Sequence, residues 1–82
     1  MWKVMFRNVL RRRGFWKTRS SDEEVFMKHD ERLGGIYVTL QNRMAILRME
    51  DRDTIHVFKS AKHLELYLKK LEEEHVGVFL NA

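Results

Sequence analysis

Six basic side chains, Arg7, Arg11, Arg12, Arg13, Lys17 and Arg19, fall within thirteen consecutive residues that hold no acid and enclose Phe15 and Trp16. Cations at this density neutralise phosphates and release their counterions, and an adjacent aromatic plane gives an unpaired base a surface to stack on. These eight residues are the candidate nucleic-acid-binding set of the chain. A competing reading keeps them inside the protein. Phe15 and Trp16 are then core, and the arginines are solvated or paired with Asp22, Glu23 and Glu24 or with the run Glu72, Glu73 and Glu74.

Other chemistry-bearing residues form no pattern of comparable weight. His29, His56, His63 and His75 are spaced by 27, 7 and 12 residues, which matches no metal-ligand signature and places no pair at i, i+4. No metal site is expected. Glu50, Asp51 and Asp53 precede Lys59, but Val57 stands where a D…(D/E)-x-K nuclease requires an acid. Ser20 and Ser21 lack the elbow and oxyanion glycines of a serine hydrolase. Gly34–Gly35 is too short for a phosphate loop and precedes a strand-like segment. No catalytic residues are assigned, no cofactor is implied, and an enzyme is not expected.

Charge is distributed unevenly. The formal net charge of the 82 residues is +4, which divides into +7 over residues 1–19 and −3 over residues 20–82. Such a split points either to a polyanionic partner or to neutralisation within the fold. The absence of cysteine removes disulfides, thiolate metal sites and cysteine nucleophiles together. No apolar run approaches the roughly 20 residues that span a bilayer. Lys3, Arg7 and Asn8 interrupt any apolar core of a signal peptide, and the acids from Asp22 to Asp30 do not suit a transit peptide. A cytoplasmic location without stable membrane insertion is the resulting expectation.

At this length the chain has room for one core, so 1–82 is read as a single α+β domain, with residues 1–19 a basic helix or arm and 20–82 the body. Trp2, Met5, Phe6, Val9 and Leu10 follow the i, i+3, i+4, i+7, i+8 pattern of one helix face. Gly14 suits the C′ position of that helix, with Phe15 folding back onto it, and arginines complement the negative helix end. Residues 22–33 admit two readings. Ser21 and Glu24 form a capping box that favours a short helix, whereas "EVFMKH", Gly-Gly and "IYVTL" read as two arms of a hairpin. The short helix is preferred.

From about residue 36 to 59, "IYVTL", "MAILRM" and "TIHVFK" alternate with the turns "QNR" and "EDRD" and predict a three-stranded antiparallel meander. His56 is expected on the less buried side of the third strand. Met44 to Leu47 is apolar on both faces, so both sheet faces should be covered, one by each helix. Ser60 should cap a helix over about 60–74 with Ala61, Leu64, Leu68 and Leu71 buried, Tyr67 alongside, and Glu65 and Lys69 as an exposed pair. Glu72, Glu73 and Glu74 then oppose the macrodipole at its C-terminal end and call for a basic neighbour. Arg11 to Arg13 are the candidates. "VGVFL" predicts a short final strand or packed tail.

The order helix, three-stranded meander, helix over residues 21–74 resembles double-stranded RNA-binding domains in topology. Here the last helix opens "SAKHLE" with Lys62 alone and the first strand turn is "QNR", so that family's basic cluster and Gly-Pro loop are missing. The functional expectation is a small basic nucleic-acid-binding or regulatory protein that contacts DNA or RNA phosphates through its N-terminal segment. The alternative is a protein–protein interaction module without nucleic-acid contact, a small accessory or inhibitor protein of the kind viruses and plasmids encode. A homodimer through an unpaired sheet edge fits either.

Overall fold

The computed structural model describes residues 1–19 and 22–81, with residues 75–81 described by backbone alone. The elements run α1 (Trp2–Arg12), β1 (Trp16–Lys17), β2 (Glu24–Asp30), β3 (Gly34–Gln41), β4 (Met44–Met49), β5 (Ile55–Phe58) and α2 (Ala61–Asn81). The fold is α+β, as expected, but the sheet has five antiparallel strands in the order β1-β2-β3-β4-β5. Residues 24–30, expected as part of a short helix, are the second strand and pair with β3 from Glu24↔Leu40 to Asp30↔Gly34. Cross-strand burial of Phe26 outweighs the local capping signal. Ser21, half of that capping box, lies outside the described residues. Because 24–30 is a strand, the likeness to the RNA-binding topology is lost.

Tight connections explain the meander. The Asp30 carboxylate accepts N–H bonds from Arg32 and Leu33, both at 2.8 Å, and so folds the β2–β3 turn. Asn42 and Arg43 have φ of 53° and 61°, the two positive values of a type I′ turn, whose twist matches that of the paired strands. At the end of α1, Phe15 N–H donates to Leu10 O at 2.9 Å and Gly14 N–H to Arg11 O at 3.1 Å. This is a Schellman motif with Gly14 at φ +86°, and it turns Phe15 back into the core.

One core holds the molecule together. Phe6, Val9 and Leu10 of α1, then Phe15, join Phe26, Ile36, Val38, Leu40, Ala45 and Leu47 of the sheet and Leu64, Leu68 and Leu71 of α2. α1 is thus an integral layer of the body. Met5, expected in its buried stripe, is 63% exposed. The stripe is narrower than the sequence pattern because Trp2, Phe6, Val9 and Leu10 already fill the space above the sheet.

Both helices lie on the same face, which corrects the expectation that each would cover one. α1 and α2 touch each other, and every sheet residue in the core has one strand parity: Phe26, then Ile36, Val38 and Leu40, then Ala45, Leu47 and Met49. The opposite face carries Trp16, Val25, Met27, Tyr37, Thr39, Ile46, Arg48, Ile55 and Val57 and has no layer over it among the described residues. His56 is accordingly half-buried on the helix side, against Tyr67 and Phe58, while Ile55 and Val57 face outward. This reverses the predicted orientation of β5.

α2 opens as expected, with Ser60 Oγ accepting the His63 N–H at 3.2 Å. Its backbone continues helical to Asn81, so "VGVFL" is neither strand nor tail. Glu72 to Glu74 are therefore interior to the helix and escape the dipole penalty that their expected terminal position implied.

Candidate functional site

The helix side of the fold consumes much of the basic segment. Arg7 donates from Nε and Nη2 to the two carboxylate oxygens of Glu24, the second at 2.8 Å. Lys3 stands 3.7 Å from the same carboxylate. The hydrogen bond from Arg7, then the charges of Arg7, Lys17 and Lys3, hold the Glu24 carboxyl below the usual glutamate range despite partial burial, and the Arg7 pKa is raised in turn. Arg12 donates to Glu65 from Nη2 at 3.0 Å and Nε at 3.2 Å. The Glu65 pKa is lowered chiefly by that bond; with Arg13 Nε also 3.8 Å away, the carboxylate pairs with Arg12 and Arg13 at the end of α1 rather than with Lys69 of its own helix.

Arg13 donates from Nη1 to Glu72 Oε2 at 3.1 Å, and Lys28 Nζ approaches Glu72 at 3.8 Å. Lys28 also donates to Arg13 O at 2.7 Å and its ammonium sits 5.9 Å from the Phe15 ring centroid. The expected basic neighbour of the glutamate run is thus real for Glu72, through Arg13 and Lys28. Glu73 and Glu74 remain exposed.

Of the eight predicted site residues, Arg7, Arg12 and Arg13 are therefore engaged in ion pairs. Phe15 is 5% exposed and cannot offer its ring to a base, because the Schellman turn folds it under α1. Arg11, Lys17 and Arg19 are exposed and make no ion pair among the described residues. Trp16 is 51% exposed but points to the opposite side of the sheet from Lys17. The eight residues do not converge on one surface.

That opposite side holds the more organised feature. Reading across the strands, one row is Val25–Thr39–Ile46–Val57 and the next is Trp16–Met27–Tyr37–Arg48–Ile55. Ile55 and Val57 are 60% and 52% exposed, yet Thr39, walled by its row neighbours, is buried. Two recesses open beside Arg48. One, of about 380 Å³, is lined by Tyr37, Arg48, Glu50, Arg52 and Ile55 among others. The second, of about 240 Å³, is lined by Glu23, Thr39, Gln41, Ile46 and Arg48.

Sequence reasoning missed this face because it placed residues 22–33 in a helix and a second helix over the sheet. The available signal was apolar occupancy of both parities, Val25 and Met27 beside Phe26, and Tyr37 and Thr39 beside Ile36 and Val38.

No protein-family model, curated protein or solved structure matches this chain. Among the described residues no helix is long and apolar enough to cross a membrane, and no three His, Asp or Glu side chains gather as a metal site.

Proposed function

We propose that this chain is a protein-interaction module, a small accessory or inhibitor protein, whose contact surface is the open face of its sheet. The observation that carries this reading is the pair of adjacent rows centred on Met27, Tyr37, Thr39 and Ile46, bordered by exposed Trp16, Ile55 and Val57. Contiguous apolar surface of this kind marks interaction sites in soluble folds. The use of Arg7, Arg12 and Arg13 in internal pairs supports this reading over phosphate binding, since only Arg11, Lys17 and Arg19 of the candidate cations remain exposed and unpaired among the described residues.

A photo-crosslinking side chain placed at Val57 or Ile55 tests the reading in the cell of origin. Crosslinks to protein from these positions, and none from Lys62 or Lys69 on α2, are expected. Crosslinks confined to nucleic acid, or arising from positions 11 and 19 instead, would return the function to the basic segment.

A further inference from the structure

We infer that the occupant of the open sheet face is a single amphipathic helix of a partner protein, laid across the strands, with an acidic side chain set against Arg48. This deepens the reading of the chain as a protein-interaction module and rests on it.

Shape comes first. The apolar surface is a band two residue rows deep, one row five strands wide and the other four. Strand spacing of ~4.8 Å makes it about 19 Å long, and the two rows stand about 7 Å apart along the strands. A helix has an outer diameter of about 10 Å and a rise of 1.5 Å per residue, so roughly 13 residues lie along such a band. Beyond the first row lie Glu23 and Gln41 with Met44 beside them, and beyond the second His29 and Glu50. A second sheet would need apolar surface over the whole face. One helix needs only the stripe.

Charge then selects the kind of helix. Arg48 is the single charge within the two rows, flanked in register by Tyr37 and Ile55. Its side chain is exposed and makes no hydrogen bond or ion pair among the described residues. A wholly apolar partner would strip water from this guanidinium and leave it unpaired, which costs more than the burial of its stem returns. A carboxylate on the partner removes that cost and fixes the register, since guanidinium and carboxylate pair bidentately.

The same charge argues against a second copy of this chain. Neither row contains an acid, so two copies face to face would bring two Arg48 side chains into one apolar layer. Shifting the copies until Arg48 meets a rim acid, Glu23 or Glu50, leaves one of the two rows uncovered.

The probes are synthetic peptides of about 14 residues with leucines at i, i+3, i+4, i+7 and i+11 and one Glu, Gln or Lys inside that stripe. Binding is read by anisotropy of a labelled peptide and by the emission of Trp16, which lies in the band. The Glu peptide should bind about tenfold more tightly than the Gln peptide, and the Lys peptide more weakly than either. Arg48→Gln should erase the Glu–Gln difference, and Arg48→Glu should transfer the preference to the Lys peptide. Arg48 is exposed, so circular dichroism and the urea midpoint of both variants should match the parent.

Equal binding of all three peptides, or none, would overturn the helix-and-acid assignment. If crosslinks from Val57 to a protein persist in that case, the interaction-module reading survives and only the occupant is wrong. Sedimentation showing a dimer that Val57→Lys dissociates would make a second copy the occupant and likewise overturn the proposal.

Discussion

Arg13, the residue that caps the C-terminus of α1, reaches across to Glu72 on α2, with Nη1 and Oε2 3.1 Å apart, and Lys28 of β2 approaches the same carboxylate from the sheet. This contact joins three elements separated by up to 59 positions in sequence. With Arg12 on Glu65 and Arg7 on Glu24, it converts much of a strongly basic segment into the electrostatic seam between helices and sheet. Each pair is at least partly exposed, so its contribution lies in aligning α1 on the body more than in raw stability.

Salt dependence of polyanion binding follows from that accounting. With Arg11, Lys17 and Arg19 as the exposed unpaired cations of the segment, log K for duplex DNA should fall with log salt at a slope no steeper than about −3. Replacing Glu65 and Glu72 together by Gln releases Arg12 and Arg13 and should steepen the slope by about 2. A parent slope near −6, measured by anisotropy across a salt titration, would show that the internal pairs open readily and that the segment acts as a free basic arm.

The sequence held the local grammar of this fold and lost its layer order. The α1 stop at Gly14, the return of Phe15, the Ser60 cap, the "QNR" turn and the Leu64–Leu68–Leu71 stripe all depend on residues within a few positions of one another, and each appears where expected. Residues 24–30 were misread because their strand character comes from pairing with β3, between Asp30↔Gly34 and Glu24↔Leu40, while the acids and a capping box favour a helix locally. The covering of the sheet was misread for a related reason. Apolar residues of both parities in β4 demand burial only if the fold completes itself within one chain, and here Ile46 and its neighbours are left to the open face. The basic segment was legible as charge, but its partners Glu24, Glu65 and Glu72 become neighbours only once both helices share one side.

Acid should weaken the Arg7–Glu24 seam in a defined direction. Glu24 has its pKa held below the usual value, first by the hydrogen bond from Arg7 and then by the charges of Arg7, Lys17 and Lys3. A carboxyl with a depressed folded pKa contributes stability that is complete above the ordinary glutamate pKa and is lost as pH falls through the folded one. The parent urea midpoint should therefore hold steady from neutral pH down to the carboxylate range and drop below it. Glu24→Gln should lower the midpoint at neutral pH and show a shallower acid limb, so that the two curves converge. Parallel curves would mean that Glu24 is not a source of the acid sensitivity.

Backbone strain at Gly14 can be separated from packing. A Cβ there would meet only the flexible end of Lys28, at 3.6 Å, so there is room for one. The obstacle is φ, at +86°, which an L side chain rarely adopts. Gly14→Ala should cost about 1 kcal/mol in urea denaturation with an unchanged slope. Gly14→Asn should cost less, since asparagine tolerates this region. An alanine variant as stable as the parent would mean that the Schellman turn can relax without moving Phe15.

At Gly35 the constraint is reversed, and it bears on the open face. Its backbone is ordinary strand, but a Cβ would lie 2.8 Å from the Tyr37 hydroxyl oxygen, 2.9 Å from Tyr37 Cε2 and 3.0 Å from Glu50 Oε2. The glycine leaves a gap over which the Tyr37 ring lies, while its N–H donates to Glu50 at 2.8 Å. Gly35→Ala forces the ring off the sheet and should cost about 1–2 kcal/mol, as overpacking does. Tyr37→Thr alone removes the ring's contacts and should also destabilise. Once the ring is gone, most of the clash is gone, so the double variant should lose clearly less than the sum of the two single losses. Coupling of that sign, from urea midpoints in a double-mutant cycle, is what the geometry requires. Strict additivity would show that Tyr37 does not rest on Gly35, and the wall of the recess beside Arg48 would then have to be redrawn.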